Sequence, residues 1–268
     1  MGFLNVEGDR RIYFEHYAGA KTPVVLIHGW GTSLRAWDGV LVHLQALGHA
    51  VVSFDQRGCA KSDKDFRESS IAASAGDVVA LLDHLGISRA VLNGWSLGGA
   101  VAVAAAHRLG ARCAGVVSTC GATPRYVQGP DFPHGAPAGT VAGMVETLRA
   151  DRASFLLGLS QGVCAKPVGD AVVNWMWAQF MEAAPSADDA LRDLDVIDQR
   201  GILAALDVPF LSIVGSLDAV AAPEIGRAAA ALAPRGRLED FEDCGHAPFV
   251  EDRDRYNRVL GDFLAACG

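Results

Sequence analysis

Short, near-continuously apolar runs alternate along this chain with helix-length segments, and that alternation restricts the fold more than any other feature. Val24-Val25-Leu26-Ile27, Val51-Val52-Ser53-Phe54, Ala90-Val91-Leu92-Asn93, Val116-Val117-Ser118 and the stretches 210–214 and 238–241 read as strands. Runs without polar alternation are buried on both faces, as in parallel sheets. Helical patterns lie between them, at about 34–47, 71–85, 100–109, 223–232 and 253–266. Parallel neighbours need a crossover, so the pattern predicts a doubly wound α/β sheet. Phe3 to Val6 and Arg11 to Tyr17 add an antiparallel edge hairpin, which brings the expectation to a mostly parallel, eight-stranded sheet.

The alternation breaks between 124 and 206. A loop rich in Pro and Gly (Pro124, Gly129, Pro130, Pro133, Gly135, Pro137, Gly139) leads into helical stretches near 141–149 and 171–184. This divides the chain into a core of 1–123 and 207–268 and a helical cap insertion of 124–206. Trp175, Met176, Trp177, Phe180 and Met181 make the insertion's middle helix apolar on more than one side. Packing within the insertion accounts for most of this. The functional alternative is an apolar substrate pocket formed by Trp175 and Phe180 with Trp30 and Phe249.

Gly-x-Ser-x-Gly occurs twice. Gly94-Trp95-Ser96-Leu97-Gly98 follows an apolar strand and precedes an Ala-rich helix, the setting in which a serine on a strained turn presents its hydroxyl. Glycines two residues to either side remove the Cβ atoms that such a turn would crush. Ser96 is therefore the candidate nucleophile. Gly158-Leu159-Ser160-Gln161-Gly162 follows a helical-looking stretch, Asp151 to Leu157, and runs into Val163-Cys164-Ala165-Lys166-Pro167, where no helix begins cleanly, so it reads as a loop with Ser160 structural.

A serine hydroxyl needs a base within reach, held in turn by an acid. In open α/β sheets these groups come from loops at the carboxyl ends of strands. Gly215-Ser216-Leu217-Asp218 follows one strand and Cys244-Gly245-His246-Ala247-Pro248-Phe249 the last. Asp218 and His246 are the expected acid and base, in the chain order Ser, Asp, His. Of the other histidines, His16, His43, His49, His84, His107 and His134 sit in a hairpin, helices, a junction or the insertion, without a strand-end loop. His28 lies in His28-Gly29-Trp30-Gly31 after the first parallel strand, a turn that supplies backbone N–H groups. The N–H groups of Trp30 and Leu97 are the expected oxyanion donors, with His28 buttressing the loop.

The six cysteines have no Cys-x-x-Cys spacing and imply neither a metal cluster nor a redox pair, so no metal and no cofactor is expected. Neither Cys59 nor Cys244 stands in an elbow. Lys and Arg number 23 against 31 Asp and Glu, a net charge of -8 that opposes binding to nucleic acid or an anionic membrane. The first ten residues lack an apolar signal core, Val6 fails the hydroxyl position of a myristoylation signal, and no apolar run reaches the length of a membrane span. The expected location is the cytoplasm.

Together the His28-Gly29-Trp30 loop, the Asp55-Gln56-Arg57-Gly58-Cys59-Ala60-Lys61-Ser62 turn, the Gly94–Gly99 elbow, Gly215-Ser216-Leu217-Asp218 and Gly245-His246-Ala247-Pro248-Phe249 resemble the α/β-hydrolase superfamily over essentially the whole chain. The first loop, the elbow and His246-Ala247-Pro248-Phe249 look like the pimeloyl-acyl-carrier methyl ester esterases. Val173-Asn174-Trp175-Met176-Trp177 and the Asp55 turn look more like arylesterases, also called cofactor-free haloperoxidases. Both resemblances imply a serine carboxylic ester hydrolase acting on a small-molecule ester. A serine at the elbow argues against dehalogenases and epoxide hydrolases. Ala247 after the histidine argues against carbon–carbon bond hydrolases of ring cleavage. Between Pro124 and Arg200 there are six basic residues against ten acidic, which disfavours an acidic acyl-carrier partner, although Arg125, Arg149 and Arg152 could form a local patch. A lactonase or perhydrolase would use the same three residues, and a ligand receptor on a hydrolase scaffold is the alternative from a different class.

Overall fold

The computed structural model describes residues 1–267. Eight strands form one sheet: β1 (Gly2–Glu7), β2 (Arg10–Tyr17), β3 (Lys21–Ile27), β4 (His49–Phe54), β5 (Ala90–Trp95), β6 (Cys113–Thr119), β7 (Phe210–Gly215) and β8 (Gly236–Phe241). Their order across the sheet is β1-β2-β4-β3-β5-β6-β7-β8. β1 and β2 pair antiparallel, as do β2 and β4, and every other pairing is parallel. The interior strands β4, β5, β6 and β7 are buried at every position, whereas the edge strands β1 and β8 keep partly exposed residues. That contrast is why the central strands are apolar without alternation.

The helices are α1 (Asp38–Ala46), α2 (Ile71–His84), α3 (Leu97–Leu109), α4 (Thr140–Ala150), α5 (Arg152–Gly162), α6 (Asp170–Met181), α7 (Asp188–Asp193), α8 (Arg200–Ala204), α9 (Pro223–Leu232), α10 (Pro248–Glu251) and α11 (Arg253–Cys267). α1 packs against α10 and α11, while α2 packs on α3, α3 on α8 and α8 on α9, so two groups of helices flank the sheet. Between β6 and β7 the chain leaves this pattern. α4 packs on α5 and α7, and α5 on α6, giving a separate helical layer.

The second Gly-x-Ser-x-Gly motif is a correction to the sequence reading, because it is helical rather than a loop. It forms the last turns of α5, a helix already under way, so the Pro167 that prevents a new helix is no obstacle. The Asp151 side chain caps that helix by accepting from the Ser154 N–H. Ser160 is buried, and its hydroxyl donates to the Leu156 carbonyl at 2.7 Å.

Candidate active site

The strand order turns back on itself around β3, whose neighbours are β4 and β5, and the loops leaving the carboxyl ends of β3 and β5 meet there. Ser96 sits at the end of β5 with φ 56° and ψ -124°, a conformation costly for a residue with a side chain. Its N–H donates to the Thr119 carbonyl, and its own carbonyl accepts from the N–H groups of Gly99 and Ala122, each at 2.9 Å. These bonds hold the strained turn in place. A Cβ on Gly94 would lie 2.0 Å from the Gly98 carbonyl oxygen, and one on Gly98 would lie 2.4 Å from that of Ile27. Neither backbone atom can move without breaking the sheet or the helix start, so both positions require glycine.

α3 begins at Leu97, whose N–H is one of the donors a helix start leaves without an intrahelical acceptor. Neither this N–H nor that of Trp30 donates to an acceptor among the described residues. The Trp30 loop is held by His28, which is fully buried. His28 Nε2 accepts from the Gln56 N–H at 2.9 Å, and Nδ1 lies 2.7 Å from the Gly29 carbonyl. Burial pushes the His28 pKa down to about 4, so the ring is neutral and serves as a strut.

Asp218 and His246 leave β7 and β8. One carboxylate oxygen of Asp218, Oδ1, accepts from the N–H groups of Val220 at 2.8 Å and Ala221 at 2.9 Å. The other, Oδ2, lies 2.7 Å from His246 Nδ1. The turn thus saturates one oxygen and aims the other at the imidazole, which leaves Nε2 for exchange of a proton. The His246 loop is tied down at three points. Gly245 N–H donates to Glu251 Oε1, His246 N–H donates to the Val163 carbonyl at the end of α5, and the Trp95 indole N–H donates to the His246 carbonyl at 2.7 Å. Trp95 also packs its ring on the His246 ring, with centroids 5.5 Å apart.

Ser96 and His246 open onto one cavity with Trp30, Leu97 and Phe180. Trp30 is fixed by its indole N–H to the Ala187 carbonyl, and its ring lies 6.2 Å from that of Phe180. Two expected pocket residues are placed elsewhere. Trp175 is 36% exposed and borders a different groove, with Val172 and Arg253, because it lies on the outer side of α6 from Met176 and Phe180. Phe249 is buried in aromatic packing, 4.6 Å from Trp37 and 5.1 Å from Trp95, where the start of α10 turns it into the core.

Tyr126, Met144, Leu159, Val163, Leu191 and Leu194 also line the cavity and escaped sequence reasoning. Leu191 and Leu194 at i and i+3 were the available signal. Cys120, at the end of β6, was also missed. It has φ 45°, its Sγ packs 3.8 Å from the Gly245 carbonyl, and its Sγ, an Asp218 oxygen and a His246 nitrogen lie within 4.8 Å of one another. Thiol, carboxylate and imidazole make a donor set able to hold a metal ion, but the carboxylate and imidazole here already bind each other. Burial, and then the charge of Asp218, push the Cys120 thiol well above its ordinary range, so it stays a protonated packing group.

The sequence model describing the alpha/beta hydrolase fold matches residues 22–253. A pimeloyl-[acyl-carrier protein] methyl ester esterase of Neisseria meningitidis is 29% identical over 249 residues, covering 91% of this chain and 93% of its own length. A non-heme haloperoxidase of Rhodococcus erythropolis is 27% identical over 274 residues, covering 98% and 99%. An esterase from Exiguobacterium antarcticum superposes with a TM-score of 0.94 at 25% identity, covering 99% of this chain and 100% of its own. No helix among the described residues is long and apolar enough to cross a membrane.

Proposed function

Because this chain belongs to the alpha/beta hydrolase family, we propose that it is a serine carboxylic ester hydrolase working through an acyl-enzyme. The observation that carries the reading is a serine on a positive-φ turn sharing a cavity with an imidazole whose far nitrogen is held by a carboxylate. His246 Nε2 takes the proton of Ser96 as Oγ attacks the acyl carbon. Asp218 Oδ2 holds the imidazole by Nδ1 and stabilises its positive charge. The Trp30 and Leu97 N–H groups receive the negative oxygen of the tetrahedral intermediate. The alcohol leaves with the proton from His246, and water, deprotonated by the same nitrogen, then releases the acid.

The test is turnover of p-nitrophenyl acetate by Ser96→Ala and Ser160→Ala. The first is expected to lose activity by more than about a thousandfold while keeping its fold, and the second to keep it. Unchanged turnover in Ser96→Ala would refute the assignment. A second reading follows from the likeness to a haloperoxidase. Hydrogen peroxide can replace water in resolving the acyl-enzyme, and peracid formation from acetate and peroxide, abolished by the same Ser96 substitution, is its test.

A further inference from the structure

We propose that the acyl group accepted by this site is short and uncharged, of acetyl or propionyl size, and that Leu191 and Leu194 set the limit. The proposal rests on the ester-hydrolase reading of Ser96. Three features of the cavity carry it. Its lining is apolar almost throughout: no Asp, Glu, Lys or Arg side chain borders it, and the Tyr126 hydroxyl is already spent on the Val220 carbonyl at 2.8 Å. A carboxylate or ammonium in the acyl chain would lose its hydration there without a partner.

The second feature is volume. About 40 Å³ is free inside. A cavity needs about 10–15 Å³ of such space to hold one water molecule, so this one takes only a few heavy atoms beyond the carbonyl carbon.

The third is that the walls are unequal. Phe180, Leu191, Leu194 and Trp30 are buried and close the inner end. Met144, Leu159 and Val220 are partly exposed and form the mouth. The inner wall cannot retreat freely. Phe180 is backed by Trp30, which is pinned to the Ala187 carbonyl, and Leu191 and Leu194 are held on and beside the short helix that packs on α4. A longer chain would therefore overpack the inner end, while the leaving alcohol has the open side. In an open apolar groove each added methylene would instead raise reactivity by burial.

The experiment is the kcat/KM of the full-length protein on p-nitrophenyl acetate, propionate, butyrate, hexanoate and octanoate, with a monosuccinyl ester as the charged probe. The expected maximum is at acetate or propionate, with a fall of at least about tenfold by hexanoate, the scale of a forced fit in a packed interior. The monosuccinyl ester is rejected. Leu194→Ala and, separately, Leu191→Ala move the maximum to longer chains. Circular dichroism verifies folding of each, and Leu191→Val gives a milder opening if either alanine variant unfolds. A maximum at hexanoate or beyond, in a protein whose Ser96 still reacts with an alkyl phosphonate, overturns the short-acyl proposal and leaves the esterase reading intact. A short-chain maximum that none of the inner-wall variants shifts overturns the assignment of Leu191 and Leu194. Failure to hydrolyse any ester, together with an unreactive Ser96, overturns the underlying reading instead.

Discussion

Replacing Trp95 by Phe isolates a hydrogen bond that links the elbow to the histidine loop. The Trp95 indole N–H donates to the His246 carbonyl at 2.7 Å, and both residues are 2% exposed. Phe keeps an aromatic ring in place but leaves a buried carbonyl unpaired, which costs about 1–3 kcal/mol. The molecule contains its own control. Trp37 is fully buried in the same aromatic cluster, yet its Nε1 has no partner among the described residues. Trp37→Phe therefore shrinks a ring without breaking a hydrogen bond, and it removes an unpaired donor. Loss of ring volume is similar in the two variants, so Trp95→Phe should be the less stable by about 2 kcal/mol. At 2–4 °C per kcal/mol for a chain of this size, the two melting temperatures should differ by about 4–8 °C. Because the freed carbonyl belongs to His246 itself, kcat in Trp95→Phe should also fall by about tenfold or more with KM little changed. Thermal unfolding and steady-state hydrolysis of p-nitrophenyl acetate measure both effects. If Trp95→Phe melts with Trp37→Phe and keeps its kcat, the bond neither stabilises the fold nor positions His246.

Two further predictions concern the carboxylates. Asp218→Asn retains an oxygen for the Val220 and Ala221 N–H groups but favours the wrong imidazole tautomer, so kcat should drop by about 10⁴ with little change in melting temperature, measured on the same ester. Asp55 is buried with its pKa raised to about 6 by desolvation, and it braces the chain by accepting from the Leu34 and Lys61 N–H groups. A carboxyl whose folded pKa lies above its unfolded value binds its proton more readily when folded, so Asp55 adds stability as pH falls through 6 towards 3.8. His28, with a folded pKa of about 4, acts the other way, and stability is lost as pH falls below its unfolded value of 6.5. The two offset each other across most of that window. Asp55→Asn removes one side, so between pH 7 and pH 5 the variant should lose about 1.3 kcal/mol more than the parent in urea unfolding; equal losses would refute the buried-carboxyl account.

Much of this architecture is legible because some residues report their surroundings locally. The fully buried strands are continuously apolar because both faces are covered, and Gly94 and Gly98 mark an elbow because no other residue fits against the Gly98 and Ile27 carbonyls. Asp218 and His246 stand out by position, each in a loop after a strand. The second Gly-x-Ser-x-Gly motif was misread for the converse reason. Pro167 signals that no new helix starts there and says nothing of whether the helical stretch before Gly158 runs on through the motif, as it does to Gly162.

The sequence by itself determined the strand–helix alternation and the sheet class, and it singled out Ser96, Asp218 and His246 as the candidates proposed for nucleophile, acid and base, since each follows from chemistry within a few neighbouring residues. Only the tertiary structure decided which apolar residues face Ser96. Trp175 and Phe180 lie on the same helix and look equally suited to a pocket, yet Phe180 packs beside Trp30 while Trp175 turns outward. Phe249 sits three residues after His246 but stacks on Trp37 in the core. Helical periodicity tells which residues share a face, but not which face the rest of the molecule will cover. That choice is made by packing between elements far apart in the chain, as when Trp95 reaches across 151 residues to hold His246.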